Sequence, residues 1–278
     1  MSINTMGAVF GAALAVFVTV MIRLFTPDLG IIAAVLGGIA LVCYIIATAT
    51  VKKAVSTEEP VTALTRGALI GINSAMNVLL LTLIGTSLFG SESTALIVAL
   101  VLGGINWISS IGPVSQWGVY QGVIGWLNWL MPMSWLIVGL GLLFVILSLI
   151  GHLIFLITRV EFFRFGIASN GGGSLAGKVV DVDWPTGTFF IFGGFIANIN
   201  IYKTAFNMGN FSFVHRQSSM PHIEHESGHS LNLGAFGSFI HLVGAVDEWV
   251  FSHENALTEK LAESNGAHTG HPKLMMWS

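Results

Sequence analysis

Five apolar stretches dominate the first 158 residues, at about 6–25, 30–51, 66–89, 94–112 and 133–158. A helix needs about 20 such residues to cross the roughly 30 Å of hydrocarbon in a bilayer. With no water at that depth, backbone groups must bond within the segment, so stretches of this length read as membrane helices. Composition agrees: only 9% of the 278 residues are charged, against roughly 25% in a soluble domain. The charge is also uneven. Eight Asp, Glu, Lys or Arg precede Arg159 and seventeen fall from there onward, while eight of nine histidines lie at or after His215. The chain therefore divides into a transmembrane region, 1–158, a polar region, 159–265, and an aperiodic tail, 266–278.

The first stretch lacks a basic start and a small-x-small cleavage site, so it reads as a retained anchor rather than a signal peptide. Gly7 with Gly11, and Gly67 with Gly71, have the spacing that lets two helices approach closely, although membrane helices are glycine-rich in general. Asn73, Asn77 and Asn106 lie within spans and suit helix-to-helix hydrogen bonds. The segment 113–132, rich in tryptophan, suits a re-entrant or interfacial helix, because indole pairs an apolar body with a polar N–H. Loop arginines and lysines balance three against three across five spans and give no orientation.

After residue 159 the pattern turns to short β-rich runs broken by glycine and asparagine. VEFFRFGI, GKVVDVDW, GTFFIFGGFIANINIYKTAF and GNFSFVHR read as strands, with NMGN as a turn between the last two. Two helical patterns follow, from Met220 and from Ala245. The order is α+β. Gly172 to Lys178 approximates a phosphate-binding loop, but Val179 stands where Ser or Thr would hold magnesium and a strand follows instead of a helix. It reads as a glycine-rich turn.

The first helical pattern contains His225, Glu226 and His229 in the run HESGH. Residues i and i+4 share a helix face, so both imidazoles can grip one metal ion while the glutamate stands beside it as a base. Gly228 leaves room for close packing behind the metal. The strand-like run GNFSFVHR precedes the motif and offers an edge to an extended peptide.

Over about residues 205–265 the chain resembles the zincin metallopeptidases, specifically gluzincins of the HExGH type. The resemblance implies a membrane helical bundle followed by a small α+β zincin-like domain. It also implies zinc on His225 and His229, Glu226 as the general base, and a glutamate on a following helix as third ligand. Glu248 has a spacing found in several gluzincins. On an unbroken motif helix reaching His241, however, the 1.5 Å rise leaves it roughly 15–20 Å along the axis from the histidines. Glu259 lies about where a returning helix regains their level. It opens EKLAE, similar to the gluzincin ExxAD pattern, which gives Glu263 the part of orienting a histidine. A break at Gly234 or Gly237 would restore Glu248. Glu259 is the preferred ligand.

The expected activity is zinc-dependent hydrolysis of peptide bonds in membrane-associated or membrane-proximal proteins, with His253, His241 and Tyr202 as candidate oxyanion donors. The expected partners are membrane lipids and a membrane-associated protein or peptide substrate, with an oligomer or membrane complex as a further option. A net charge of −3 gives no reason to expect nucleic acid. Cys43 is the single cysteine, which excludes an intramolecular disulfide. Two other classes stay open. His222, His225 and His229 superficially fit the histidine box of a di-iron lipid hydroxylase or desaturase, although that class needs several such clusters. A non-catalytic sensor or accessory subunit with a degenerate domain is the third. Metal-free readings also serve individual histidines: His222 as a solvent-facing neighbour, His241 as a packed or capping residue, His152 as a helix contact, and His268 and His271 in the tail.

Overall fold

The computed structural model describes residues 3–25, 29–51, 60–108, 118–168, 175–218, 223–252 and 256–265. The helices are α1 (Ile3–Phe25), α2 (Leu29–Val51), α3 (Pro60–Phe89), α4 (Glu92–Ile108), α5 (Gly118–Leu127), α6 (Trp135–Thr158), α7 (Gly194–Ile199), α8 (Ile223–Val246) and α9 (Leu257–Asn265). A π-helical turn, Asp247–Ser252, continues α8. Four short strands, β1 (Val180–Asp183), β2 (Thr188–Phe192), β3 (Ala205–Met208) and β4 (Phe211–Val214), form one mixed sheet.

Among the described residues, three helical segments are long and apolar enough to cross a membrane: Ile31–Thr50, Pro60–Phe89 and Pro132–Thr158. Val9–Ile22 and Glu92–Trp107 are shorter apolar helices. The spanning segment that includes α6 has no charged residue until Arg159, which takes a left-handed conformation (φ 60°) and donates its N–H to the Phe155 carbonyl at 2.8 Å. That turn satisfies an end carbonyl and stops the helix.

The paired glycines bring α1 against α3. A Cβ added to Gly7, Gly11, Gly67 or Gly71 would run into a backbone carbonyl of the facing helix. Small residues at such a crossing let two backbones pack by dispersion where lipid gives no hydrophobic drive.

The sheet order is β1-β2-β4-β3, with β1–β2 and β3–β4 antiparallel and β2–β4 parallel. Gly209 (φ 73°) and Asn210 make the expected turn between β3 and β4, pairing Met208 with Phe211. Two expected strands change form. The run 187–206 breaks at Gly193 and Gly194, both at positive φ, so only its ends are strand and α7 lies between them. In VEFFRFGI, Glu161–Phe163 forms a 3-10 turn and only Phe165 makes an isolated bridge, to Gly193. Phe163 stacks on Phe195 of α7 and Phe162 meets the same ring edge-on, so this run is held by aromatic contacts rather than by ladder pairing.

Phe211 and Phe213 of the sheet share a core with Ile137 and Val138 of α6 and with Leu233 of α8. Leu231, Phe236 and Ile240 of α8 are buried with Ile32, Leu36 and Tyr44 of α2, Leu69 and Ile70 of α3, and Leu257 and Leu261 of α9. The motif helix thus packs on one side against the sheet, through Leu233, and on another against the spanning helices.

Helix α8 is broken at Gly237, whose φ of 75° and ψ of 176° lie outside the helical region. The break leaves carbonyls without helical partners, and a neighbouring span supplies donors. Asn73 Nδ2 of α3 donates to the carbonyls of Gly234 (3.2 Å) and Ala235 (2.9 Å). Asn77 accepts from the Met133 N–H at 3.0 Å. Asn73 and Asn77 thus join elements as the sequence suggested. Asn106 is fully buried.

Candidate metal centre

The centre lies where the first half of α8 meets α9. The i, i+4 spacing puts His225 and His229 on one face, with their Nε2 atoms 3.2 Å apart. Glu259 faces both, with Oε2 3.1 Å from His225 Nε2 and Oε1 3.3 Å from His229 Nε2. Among the described residues these three form the group able to hold one metal ion. Gly228 permits the approach, since a Cβ there would collide with the Ala262 carbonyl of α9.

Electrostatics pull the group together. Burial lowers the proton affinity of His229, but Glu259, joined by Glu226 and Glu248, more than offsets this and raises its pKa to about 9. Burial raises Glu259, yet His229 and His225 hold it well below the usual carboxylate range. Glu226 sits between the histidines in sequence and is only 5% exposed. Burial pushes its carboxyl above the ordinary range, partly opposed by His229 and His225. Its Oε2 is buried without a hydrogen-bond partner among the described residues. A buried polar atom left unbonded is costly, and this one belongs to the residue expected to handle a proton.

Glu248 requires a correction. Its carboxyl, protonated, donates to the Glu259 carboxylate and lies within electrostatic reach of His229; the roughly 15–20 Å separation applies to an unbroken helix only. The break at Gly237 folds the second half of α8 back, so that Gly244 lies against Thr258 beside Glu259. Glu248 stands behind the three-residue group rather than in it. Glu263, one turn beyond Glu259, is half-buried.

The strand expected to offer an edge is corrected too. β4 is interior, paired on both sides, and the free edge on this side is β3. Asn207 of β3 donates from Nδ2 to the Glu226 carbonyl at 3.1 Å, and its backbone also receives a hydrogen bond from His241. The His241 ring is centred 6.2 Å from that of His229. Tyr202 is exposed in the turn before β3. His222, His253, His268 and His271 lie outside the described residues. His152 accepts from the Phe165 N–H at 3.3 Å and stacks on Phe155, a packing contact within and beyond its span.

Sequence reading missed the residues that fix the motif helix. Ser227 Oγ donates to Asp183 Oδ2 of β1 at 2.8 Å. Ser230 Oγ donates to the Gly209 carbonyl at 2.7 Å and accepts from Thr188 Oγ1 at 2.8 Å. Asn128 Nδ2 donates to the Ser230 carbonyl at 2.8 Å, and Asn232 Nδ2 to the Thr258 carbonyl at 3.0 Å. The one available signal was polar residues recurring on a helix otherwise rich in leucine and phenylalanine. No family profile, curated protein or solved structure matches the chain.

Proposed function

We propose that the protein is a multi-pass membrane metallopeptidase, with zinc held by His225, His229 and Glu259. The observation that carries this reading is the convergence of three side chains: the two imidazole Nε2 atoms lie 3.2 Å apart, with Glu259 Oε2 3.1 Å from that of His225 and Oε1 3.3 Å from that of His229. Zinc bonds of about 2.0–2.2 Å in a tetrahedron put ligand atoms roughly 3.3 Å apart, which the two imidazoles already match, and one ligand atom from each of the three residues lies within 4.8 Å of the others. Two imidazole nitrogens and one carboxylate oxygen are also a donor set suited to zinc, leaving a fourth position for water. The partnerless Glu226 Oε2 is a further mark of a site with something to receive.

Bound zinc would lower the pKa of a coordinated water towards about 7. Glu226 would serve as the proton carrier, accepting a proton from water at the site and returning it to the leaving amine, a transfer for which a carboxyl raised by burial is suited. Of the two oxyanion candidates among the described residues, His241 has its ring centred 6.2 Å from that of His229. Five helices cross the membrane in this reading, the two shorter apolar helices completing the three long ones.

Metal analysis of the purified protein, together with cleavage of a fluorogenic peptide library, tests it. One zinc per chain and cleavage are expected, and Glu226→Gln should keep the zinc and lose the cleavage. Two irons per chain would favour the hydroxylase class. A chain without metal or cleavage would contradict the proposal.

A further inference from the structure

Helix α8 is amphipathic in an unusual sense after its break: one side is buried in protein, and the other is apolar and bare. Ile240 and Gly244 face the core and α9. On the opposite side Phe239, Leu242, Val246, Trp249 and Val250 recur at helical spacing, and exposure rises along the stripe from 39% at Phe239 to 55% at Val246 and 84% at Trp249. In water such a stripe would be a liability.

Three tie-points fix where this segment lies relative to the spans. Thr62 hydrogen-bonds Thr50, marking a common end for α2 and α3. Tyr44, six residues before Thr50, donates to Asp247 Oδ2 at 2.9 Å. At 1.5 Å per residue, Asp247 therefore lies about 9 Å inside that end. Asn73, eleven residues beyond Thr62, binds the carbonyls of Gly234 and Ala235, which puts them about 16 Å inside it. Phe239 reaches Gly37, where an added Cβ would lie 4.0 Å from Cζ, and Gly37 is about 20 Å from the Thr50 end. Ile31–Thr50 comprises 20 residues, about 30 Å of helix, which equals the hydrocarbon thickness.

From these positions we infer that residues 238–251 form a further membrane-embedded segment, with the stripe Phe239, Leu242, Val246 and Val250 lying against lipid acyl chains. α2, which spans the same depths, also bears exposed apolar side chains, among them Val35, Ile39 and Val42. Trp249, near the Thr50 end, takes a place at the headgroup level, where indole is favoured. The acidic groups at this depth are partnered, Asp247 by Tyr44 and Glu248 by Glu259, as ionisable groups within a membrane must be. The segment begins at the break in α8 and ends beside the candidate metal centre, which so borders the bilayer.

Spin labels at single cysteines test this independently of metal or hydrolysis. Cys43, the sole cysteine, is replaced by serine in the full chain, and nitroxides are placed at Val246, Val250 and Leu242 in turn. Val42 on α2 serves as the lipid-facing reference and Ala176, exposed in the turn before β1, as the aqueous one. In phosphatidylcholine vesicles, the ratio of oxygen to nickel-chelate collision rates at the three positions should match Val42 and exceed Ala176 several-fold. A ratio like that at Ala176 would put the segment in water. Low collision with both reagents would put it under protein. Either result overturns the inference.

Discussion

Asn73 Nδ2 donates to the Ala235 carbonyl at 2.9 Å, joining a spanning helix to the motif helix just before that helix breaks at Gly237. The bond closes over a backbone gap that the break opens, and a Cβ on Gly237 would collide with Asn73 Oδ1. Gly237→Ala therefore meets both a left-handed backbone and a steric clash. It should destabilise the protein by about 1–3 kcal/mol, read as a lower unfolding temperature in detergent. Asn73→Ala leaves two carbonyls without their donor and should cost about 1–3 kcal/mol. A neutral result for both would mean that the break does not depend on this contact.

The same break brings Glu248 to Glu259, and the two carboxylates have separable parts. Glu259→Ala should abolish zinc binding. Glu248→Ala should weaken it by about 10–100-fold, the usual effect of losing a group that orients a ligand. Competition with a zinc chelator measures both. Loss of binding in Glu248→Ala with retention in Glu259→Ala would exchange their roles.

Much of this arrangement was legible in the sequence, and the parts that were not share a cause. Apolar length gave the helices, and the i, i+4 histidines gave one face of the centre, because both depend on local periodicity. Glu259 was found by counting helical rise from an assumed turn. The same count set Glu248 far off only for an unbroken helix; the break at Gly237, one of the two alternatives the glycines offered, brings it to Glu259. The run 187–206 failed as a strand, with Gly193 and Gly194 inserting a helix into an apolar β-like stretch. The free edge on β3 and the packing of α8 against α2 and α3 are long-range outcomes, invisible to any window along the chain.

The contact between α1 and α3 makes a third prediction. Gly67→Leu inserts a side chain where a backbone carbonyl of Gly7 lies. The helices should separate, lowering the unfolding temperature more than Gly38→Leu on α2, where an added Cβ meets nothing within 4 Å. Equal effects would contradict close packing at the paired glycines.

His215, at the end of β4, gives a pH dependence outside the spans. Burial, with Lys203 and Arg216 nearby, holds its pKa below the ordinary value of 6.5. The unfolded chain therefore binds a proton more readily than the folded one as pH falls through 6.5, so acid destabilises the native state. The unfolding temperature should drop between pH 7.5 and 5.5, and His215→Gln should reduce that drop. An unchanged drop would exclude His215 as a contributor.

Anomalous scattering at the zinc edge, from crystals of the zinc-loaded protein, tests the central claim most directly. The account predicts one peak within bonding distance of His225 Nε2, His229 Nε2 and a Glu259 carboxylate oxygen, with Glu248 bonded to Glu259 and not to the metal. A peak elsewhere, a peak bound by Glu248 in place of Glu259, or no peak would contradict it.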